Sequence, residues 1–381
     1  GSFCAGGTGV AIGLNGSGNS ISYQLYNGST PVGSPVFGTA STISFGNQTT
    51  AGTYSVLATN TGTGCTRPMS GTASVNINSQ PVAQTVTGGG AYCAGGNGVA
   101  VGLAGSGAGI TYQLYHNGVA TGSASGGTGA AISCGLKTAV GSYSVAATNT
   151  TTGCTSSMTG SVNISINALP VAQTVNGGGA YCAGGTGVPV NIAGSLSGVL
   201  YQLYNGSATV GAAVNGTGGA IAFGLQTAAG TYSVMATSAG TGCTNNMTGT
   251  ATVIVNPAPQ AYTMTGGGSY CSGGNGVAVG LSGSAIGTTY RLYMGTSMVG
   301  SAVAGTGAPL SFGLKTAAGT YSVVATTAAG CVAPMAGTAM VSVNNTPFAY
   351  SVTGGGNYCT GDAGVSVGLS GSATGINYQL Y

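Results

Sequence analysis

Cysteines are the residues of this sequence best suited to carry chemistry, and nine of the ten fall into two evenly spaced series. Neighbouring members are 88 or 89 residues apart, in the order Cys4, Cys93, Cys182, Cys271 and Cys359 for the first series and Cys65, Cys154, Cys243 and Cys331 for the second. Zinc binding would need closely spaced cysteine pairs or histidine partners, and neither pattern occurs. The spacing therefore indicates disulfide bonds formed in an oxidising compartment.

Two ways of pairing the two series remain open. The simplest pairing lies within each repeat and gives the bonds Cys4–Cys65, Cys93–Cys154, Cys182–Cys243 and Cys271–Cys331, with Cys359 left for a partner outside the sequence. The alternative joins the first-series cysteine of one repeat to the second-series cysteine of the next, as in Cys93–Cys243. The alternative would follow if the strands alternate in direction as in a standard sandwich, because the two cysteine positions of one repeat would then lie at opposite ends.

The tenth cysteine, Cys134, occupies the position that Phe45, Phe223 and Phe312 fill in the other repeats. Because phenylalanine is typical of a core, we expect a buried, unreactive thiol there. The single histidine, His116, belongs to the segment His116-Asn117-Gly118, where we expect a tight hairpin turn with the imidazole in solvent.

Charged residues are so rare that they exclude most classes of function. They make up 1% of the chain, namely Arg67, Lys137, Arg291, Lys315 and Asp362. Acid–base catalysis and calcium binding need clustered carboxylates or imidazoles, and nucleic-acid binding needs a basic surface. We therefore expect no enzyme activity, no catalytic residues, no cofactor, no bound metal and no nucleic-acid partner. We also expect no membrane span, because no apolar run approaches the required length.

The cysteine period extends to the rest of the sequence and divides it into repeats. Tyr-x-Leu-Tyr, Gly-[Thr/Ser]-Tyr-Ser-Val and a proline after an Asn-containing junction recur with it. The predicted domains are a partial repeat over 1–80 that lacks its first strand, three complete repeats over 81–169, 170–258 and 259–346, and a partial repeat over 347–381 that holds only N-terminal strands. We expect these residues to be an internal piece of a longer protein.

A period of 89 residues suits a sandwich of about seven strands. In the second repeat the alternation of small and apolar residues predicts strands at Val82–Val86, Gly98–Leu103, Ile110–Tyr115, Ala130–Leu136, Ser142–Thr148 and Thr159–Asn167. The fold class is therefore all-β, with tandem immunoglobulin-like antiparallel β-sandwich domains arranged as an extended rod. The position of the tyrosine corner of such domains is filled by Tyr54, Tyr143, Tyr232 and Tyr321.

The repeated motifs also carry a family resemblance. The succession Cys-[Ala/Ser]-Gly-Gly-x-Gly-Val, Tyr-Gln-Leu-Tyr-x-Gly, Gly-Thr-Tyr-Ser-Val-x-Ala-Thr and Thr-Gly-Cys-Thr resembles the Ig-like repeats of giant Bacteroidetes cell-surface proteins, including gliding-motility-type adhesins exported by type IX secretion. The resemblance implies an extracellular or outer-surface location and a role as stalk, adhesin or filament. The resemblance assigns no binding residues in this sequence.

Composition and resemblance together predict a structural repeat region, stabilised by disulfides, that assembles into fibres with neighbouring copies or other surface polymers. Surface glycans are a further expected partner. The alternative is a carbohydrate-binding array, and it requires tyrosines in an open row on one face.

Overall fold

The computed structural model describes residues 1–381, and every regular element in it is a β-strand. The first repeat contains β1 (Ser2–Cys4), β2 (Val10–Leu14), β3 (Ile21–Asn27), β4 (Thr30–Phe37), β5 (Ile43–Gln48), β6 (Gly52–Asn60), β7 (Thr66–Pro68) and β8 (Ala73–Asn78). The second contains β9 (Val86–Gly88), β10 (Gly90–Cys93), β11 (Val99–Leu103), β12 (Ile110–His116), β13 (Val119–Gly126), β14 (Ile132–Lys137), β15 (Gly141–Asn149), β16 (Thr155–Ser157) and β17 (Val162–Asn167).

The same order of strands returns in the later repeats. The third contains β18 (Val175–Gly177), β19 (Gly179–Cys182), β20 (Val188–Ile192), β21 (Val199–Asn205), β22 (Ala208–Asn215), β23 (Ile221–Gln226), β24 (Gly230–Ser238), β25 (Thr244–Asn246) and β26 (Ala251–Asn256). The fourth contains β27 (Met264–Gly266), β28 (Gly268–Cys271), β29 (Val277–Leu281), β30 (Thr288–Met294), β31 (Ser297–Ala304), β32 (Leu310–Lys315), β33 (Gly319–Thr327), β34 (Val332–Pro334) and β35 (Ala339–Asn344). The last residues hold β36 (Val352–Gly354) and β37 (Val367–Leu369).

These strands form two compact units. One comprises Gly1–Pro170 with Ser238–Thr244, and the other comprises Val171–Thr237 with Asn245–Tyr381. The fold class is as predicted: four repeated β-sandwich domains like tandem immunoglobulin domains. The predicted repeat boundaries and the extended arrangement stay predictions.

The second repeat shows how each sandwich is built. One sheet has the order β10-β17-β15-β12-β13 with β16 attached to β15, and the other has the order β14-β11-β9. Along β15 the buried residues are Tyr143, Val145 and Ala147, the two-residue period of a strand with one face in the core. They pack with Val101 and Leu103 of β11, each 1% exposed, in a single hydrophobic cluster between the sheets.

The first strand of the sandwich differs from the prediction. Val82 is 76% exposed, and no strand covers residues 82–85. The first strand of the repeat begins only at Val86, as β9 paired with β11, and it is followed by β10 paired with β17. Between these two strands the chain crosses from one sheet to the other at Gly88 and Gly89, whose φ angles are 91° and 71°. Only glycine adopts such angles readily, so the triple-glycine segment allows the crossing. The pairing of β10 with β17 is parallel, an exception to the antiparallel pattern predicted.

Candidate functional site: disulfide cysteines and tyrosine corners

Three disulfide bonds join successive repeats. They are Cys4–Cys154, Cys93–Cys243 and Cys182–Cys331, each with a Cα–Cα distance of 5.6 Å and a sequence separation of 149 or 150 residues. The first two lie within one compact unit and the third lies within the other. In each bond the first-series cysteine of one repeat meets the second-series cysteine of the next.

The pairing within repeats is therefore wrong, and strand direction explains why. Cys93 ends β10 opposite Asn167, at the C-terminal end of β17. Strand β15 runs antiparallel to β17 and begins near that end, since Gly141 pairs with Ile164. Cys154 follows the far end of β15 and so lies at the opposite end of the same sandwich. The alternative pairing, exemplified by Cys93–Cys243, is the one that the structure contains.

The disulfide cysteines from the second series are fully buried. Cys154 and Cys243 are 0% exposed and Cys331 is 1% exposed. The sulfur of Cys154 lies 4.0 Å from the main-chain oxygen of Asn78, and that of Cys331 lies 3.9 Å from the main-chain oxygen of Asn256. In the chain-entropy model, closing a loop of 150 residues contributes about 5 kcal/mol to stability for a single bond.

The asparagine that ends the last strand of each repeat was missed by the sequence prediction. The main-chain oxygens of Asn78 and Asn256 accept hydrogen bonds from Ala5 and Ala183 at 2.9 and 2.8 Å, next to the disulfides. A signal for this position exists, because Asn78, Asn167, Asn256 and Asn344 recur with the cysteine period.

Three predicted disulfide cysteines carry no bond. Cys65, Cys271 and Cys359 are free and exposed. The predicted bonds Cys4–Cys65 and Cys271–Cys331 are absent because Cys4 and Cys331 pair with cysteines of adjacent repeats. The rule that joins a first-series cysteine to the second-series cysteine of the next repeat gives Cys271 no partner among residues 347–381, where Cys359 belongs to the first series.

Cys134 is partly buried rather than fully buried, and it packs against the core of the second repeat. Burial raises the pKa of its thiol above the ordinary value, and the nearby Lys137 ammonium only partly offsets this effect. Because the thiolate is the reactive form, a raised pKa makes Cys134 a weak nucleophile at neutral pH.

Each predicted corner tyrosine donates a hydrogen bond to the carbonyl four residues before it. The distances are 2.7 Å for Tyr54 to Thr50, 3.0 Å for Tyr143 to Ala139, 2.8 Å for Tyr232 to Ala228 and 2.9 Å for Tyr321 to Ala317. All four rings are 1 or 2% exposed. Desolvation raises the pKa of Tyr143 and Tyr321, with smaller contributions from Tyr92 and Tyr270. The bond holds the start of one long strand against the turn before it.

Two further sets of tyrosines also act as structural anchors. The hydroxyl of Tyr112 accepts a hydrogen bond from the amide of Gly107 at 2.8 Å, and the hydroxyl of Tyr92 donates to the carbonyl of Thr138 at 2.6 Å. No buried polar side-chain atom lacks a partner. The exposed tyrosines are Tyr358, Tyr378 and Tyr381 in the last partial repeat, and the second tyrosine of each earlier Tyr-x-Leu-Tyr motif, namely Tyr26, Tyr115, Tyr204 and Tyr293, is partly exposed.

His116 does not point into solvent as the sequence suggested. It is the last residue of β12, and its ring stacks on Tyr143 with centroids 4.6 Å apart. Its Nε2 lies 3.0 Å from the carbonyl oxygen of Val140. The turn itself is Asn117-Gly118, with φ angles of 49° and 80° as a tight hairpin requires. The imidazole is thus a packing group over the corner tyrosine.

No group of three or more His, Cys, Asp or Glu residues comes together in a way that could hold a metal ion. The ammonium of Lys315 donates to the carbonyl of Phe312 at 2.6 Å, and Gln226 makes the equivalent bond to Phe223 at 2.9 Å. This interchange of Lys and Gln indicates a structural role for that position. None of the elements is a helix of the length and apolar character needed to cross a membrane.

Comparison with known proteins gives structural likeness only. No family model and no curated protein matches the chain. A solved structure titled "Ca2+-stabilized adhesin helps an Antarctic bacterium reach out and bind ice" is 19% identical and has a TM-score of 0.39, covering 90% of this chain and 96% of that one. The structure of Sidekick-1 immunoglobulin domains 1–5 is 13% identical and has a TM-score of 0.26, covering 91% of this chain and 78% of that one. Since both TM-scores are below 0.5, the likeness assigns no function.

Proposed function

We propose that this chain is a structural repeat region of an extracellular or cell-surface protein, acting as the stalk of an adhesin or as part of a filament. The observation that carries the proposal is the series of disulfides that join each repeat to the next. Such bonds persist in oxidising compartments, and they strengthen a polymer of domains without creating a reactive site. The scarcity of charged side chains points the same way, because it leaves little for catalysis or phosphate binding.

Export by the type IX system of Bacteroidetes is the finer form of this proposal. Its support is the motif set built around the two cysteine series and the Tyr-Ser-Val segments. Residues of these motifs are structural in this chain, since Tyr143 anchors a turn and Cys93 forms a bond between repeats. The resemblance to this family supports an outer-surface location and tandem Ig-like domains, and it suggests no ligand.

Lateral assembly into fibres has its own support. Leu136, Leu225 and Leu314 occupy equivalent positions in the second, third and fourth repeats and are 59, 55 and 56% exposed. They lie on β14, β23 and β32, each at the edge of its sheet. Edge strands are usually protected from pairing by charged side chains. Strand β23 has none, and β14 and β32 have a single lysine each, Lys137 and Lys315, of which Lys315 is held on the carbonyl of Phe312. We propose neighbouring copies of this chain as the partners of these edges.

The location is tested on intact cells that produce the protein. An antibody raised against residues 81–169 should bind without lysis, and alkylation of intact cells with a membrane-permeant thiol reagent before extraction should leave Cys93 and Cys243 unmodified, because they are bonded to each other. Binding only after lysis, with both cysteines alkylated, would contradict an extracellular role.

A further inference from the structure

Each disulfide gives a short covalent connection, here called a shortcut, between residues that are far apart in the chain. The loops closed by the three disulfides overlap. Each bond spans about one and two-thirds repeats, so each begins inside the loop closed by the one before it. From Cys154, the chain continues for only 28 residues before it reaches Cys182, where the next shortcut begins. A continuous covalent path therefore runs from Cys4 to Cys154, along residues 154–182, and across to Cys331.

A second path interleaves with the first. It uses the Cys93–Cys243 bond, which it reaches along the chain from Cys4 to Cys93 and leaves along the chain from Cys243 to Cys331. In the second and third repeats, residues 94–153 and 183–242 lie on neither path.

The residues that the paths avoid contain most of each sandwich. In the second repeat they hold β11 to β15, with the core side chains Tyr112 and Tyr143. The segment 154–182, which lies on the first path, holds only β16 to β19, the strands on either side of the repeat junction. Tension applied to the ends of the chain passes through the disulfides and these junction segments.

We propose that the staggered disulfides make this region a length-limited tether, whose greatest extension is set by covalent bonds and changes little when the sandwiches unfold. This goes beyond the structural role proposed above, since it names the residues that carry load and those that do not. A sandwich that opens under tension keeps its ends close together, so the entropy lost when it folds again is small. The core strands act as spacers that shape the region, and the cysteine network limits its length.

Pulling single molecules by their termini tests the proposal with the full chain. Of the residues between the termini, the shortest covalent path includes only 1–4, 154–182 and 331–381. Its length when fully extended is about 280 Å, whereas the reduced chain reaches about 1,300 Å. We expect the oxidised protein to stop near the shorter value even at forces that unfold the reduced protein. Extension of the oxidised protein to the longer value would overturn the proposal.

Two matched double variants separate the effect of path from the effect of disulfide number. Each variant lacks one disulfide and keeps two. Cys93→Ser with Cys243→Ser leaves the shortest path intact, so its limit stays at about 280 Å. Cys182→Ser with Cys331→Ser forces the path back through residues 93–154 and then from 243 to the C-terminus, which raises the limit to about 700 Å. Equal limits in the two variants would show that the paths are not the ones proposed.

The outcome is distinct from that of the cell-surface test. The extension limit depends on covalent connectivity alone, so it can fail while the protein proves extracellular. Equally, a protein found inside the cell would leave the measured limit of the oxidised chain unchanged.

Discussion

The sulfur of Cys154 lies 4.0 Å from the main-chain oxygen of Asn78, although 76 residues separate them in sequence. Asn78 ends the last strand of the first repeat, and Cys154 follows the penultimate long strand of the second. Cys4 pairs with the same Asn78 in the parallel register of β1 and β8 and forms its disulfide with Cys154. The end of one repeat and a turn of the next are thus joined by the peptide linker and by a covalent bond to Cys4, which is itself paired with Asn78 within the first repeat.

Removing the hydroxyl of a corner tyrosine should weaken its repeat. Tyr143→Phe deletes the hydrogen bond to Ala139 and leaves a carbonyl without its partner, so we expect a loss of about 1 kcal/mol in the free energy of unfolding. Urea denaturation measures it. Tyr115→Phe is the matched control, because Tyr115 is only partly buried and its hydroxyl makes no hydrogen bond. A control that loses as much stability as Tyr143→Phe would show that the bond is not the cause.

Alkaline pH should destabilise the chain partly through the same tyrosines. Burial raises the pKa of Tyr143 and Tyr321 in the folded protein, so folding favours the protonated phenols. This contribution is complete below the unfolded pKa of about 10 and is lost as the pH rises through the higher folded pKa. We expect the urea midpoint to fall above pH 10, and to fall less steeply in a variant carrying Tyr143→Phe and Tyr321→Phe. An identical slope in that variant would contradict this assignment.

Cys134 should react slowly with alkylating reagents compared with the exposed thiols. Its raised pKa and partial burial both reduce the concentration of accessible thiolate at neutral pH. Mass spectrometry after brief treatment with iodoacetamide at pH 7.5 should find Cys65 and Cys271 modified first. Modification of Cys134 should increase at more alkaline pH than is usual for a cysteine. Labelling of Cys134 at the rate of Cys65 would mean that its side chain is not packed against the core.

Replacing the exposed edge leucines should reduce self-association. In a triple variant with Leu136→Lys, Leu225→Lys and Leu314→Lys, each edge gains a charge that opposes strand pairing between copies. We expect sedimentation at high concentration to show assemblies of the natural sequence and fewer of the variant. Replacing the equally solvent-facing Val82, Val171 and Phe348 by lysine controls for net charge. Equal loss of assemblies in the control would show that the edge strands β14, β23 and β32 are not the surfaces through which copies associate.

Fold class could be read from the sequence, whereas the path of individual strands could not. Tyr143, Val145 and Ala147 alternate with Ser142, Ser144, Ala146 and Thr148, of which only Ala146 is not polar, so the pattern of one buried face is visible in the sequence itself. Strand β13 was missed because its sequence VATGSASG has small side chains and lies at an exposed sheet edge, where no core selects large apolar residues.

The regular spacing of the cysteines reduced the possible disulfide pairings to two, but it could not decide between them. The constant spacing fits a bond from Cys93 to Cys154 as well as it fits a bond from Cys93 to Cys243, and only the directions of β10, β15 and β17 decide between them. The parallel pairing of β10 depends on the glycine crossover at Gly88 and Gly89, which propensity rules treat simply as a turn.

Cleavage at methionine without reduction tests the connectivity most directly, since its acidic conditions suppress exchange by keeping thiols protonated. Cleavage after Met69 and Met158 gives fragments 1–69 and 70–158, which hold Cys4 with Cys65 and Cys93 with Cys154. If the bonds join successive repeats, these fragments stay linked through Cys4–Cys154, and fragment 265–294, which contains Cys271, is released alone. Release of fragment 1–69 with an internal bond between Cys4 and Cys65 would contradict the account.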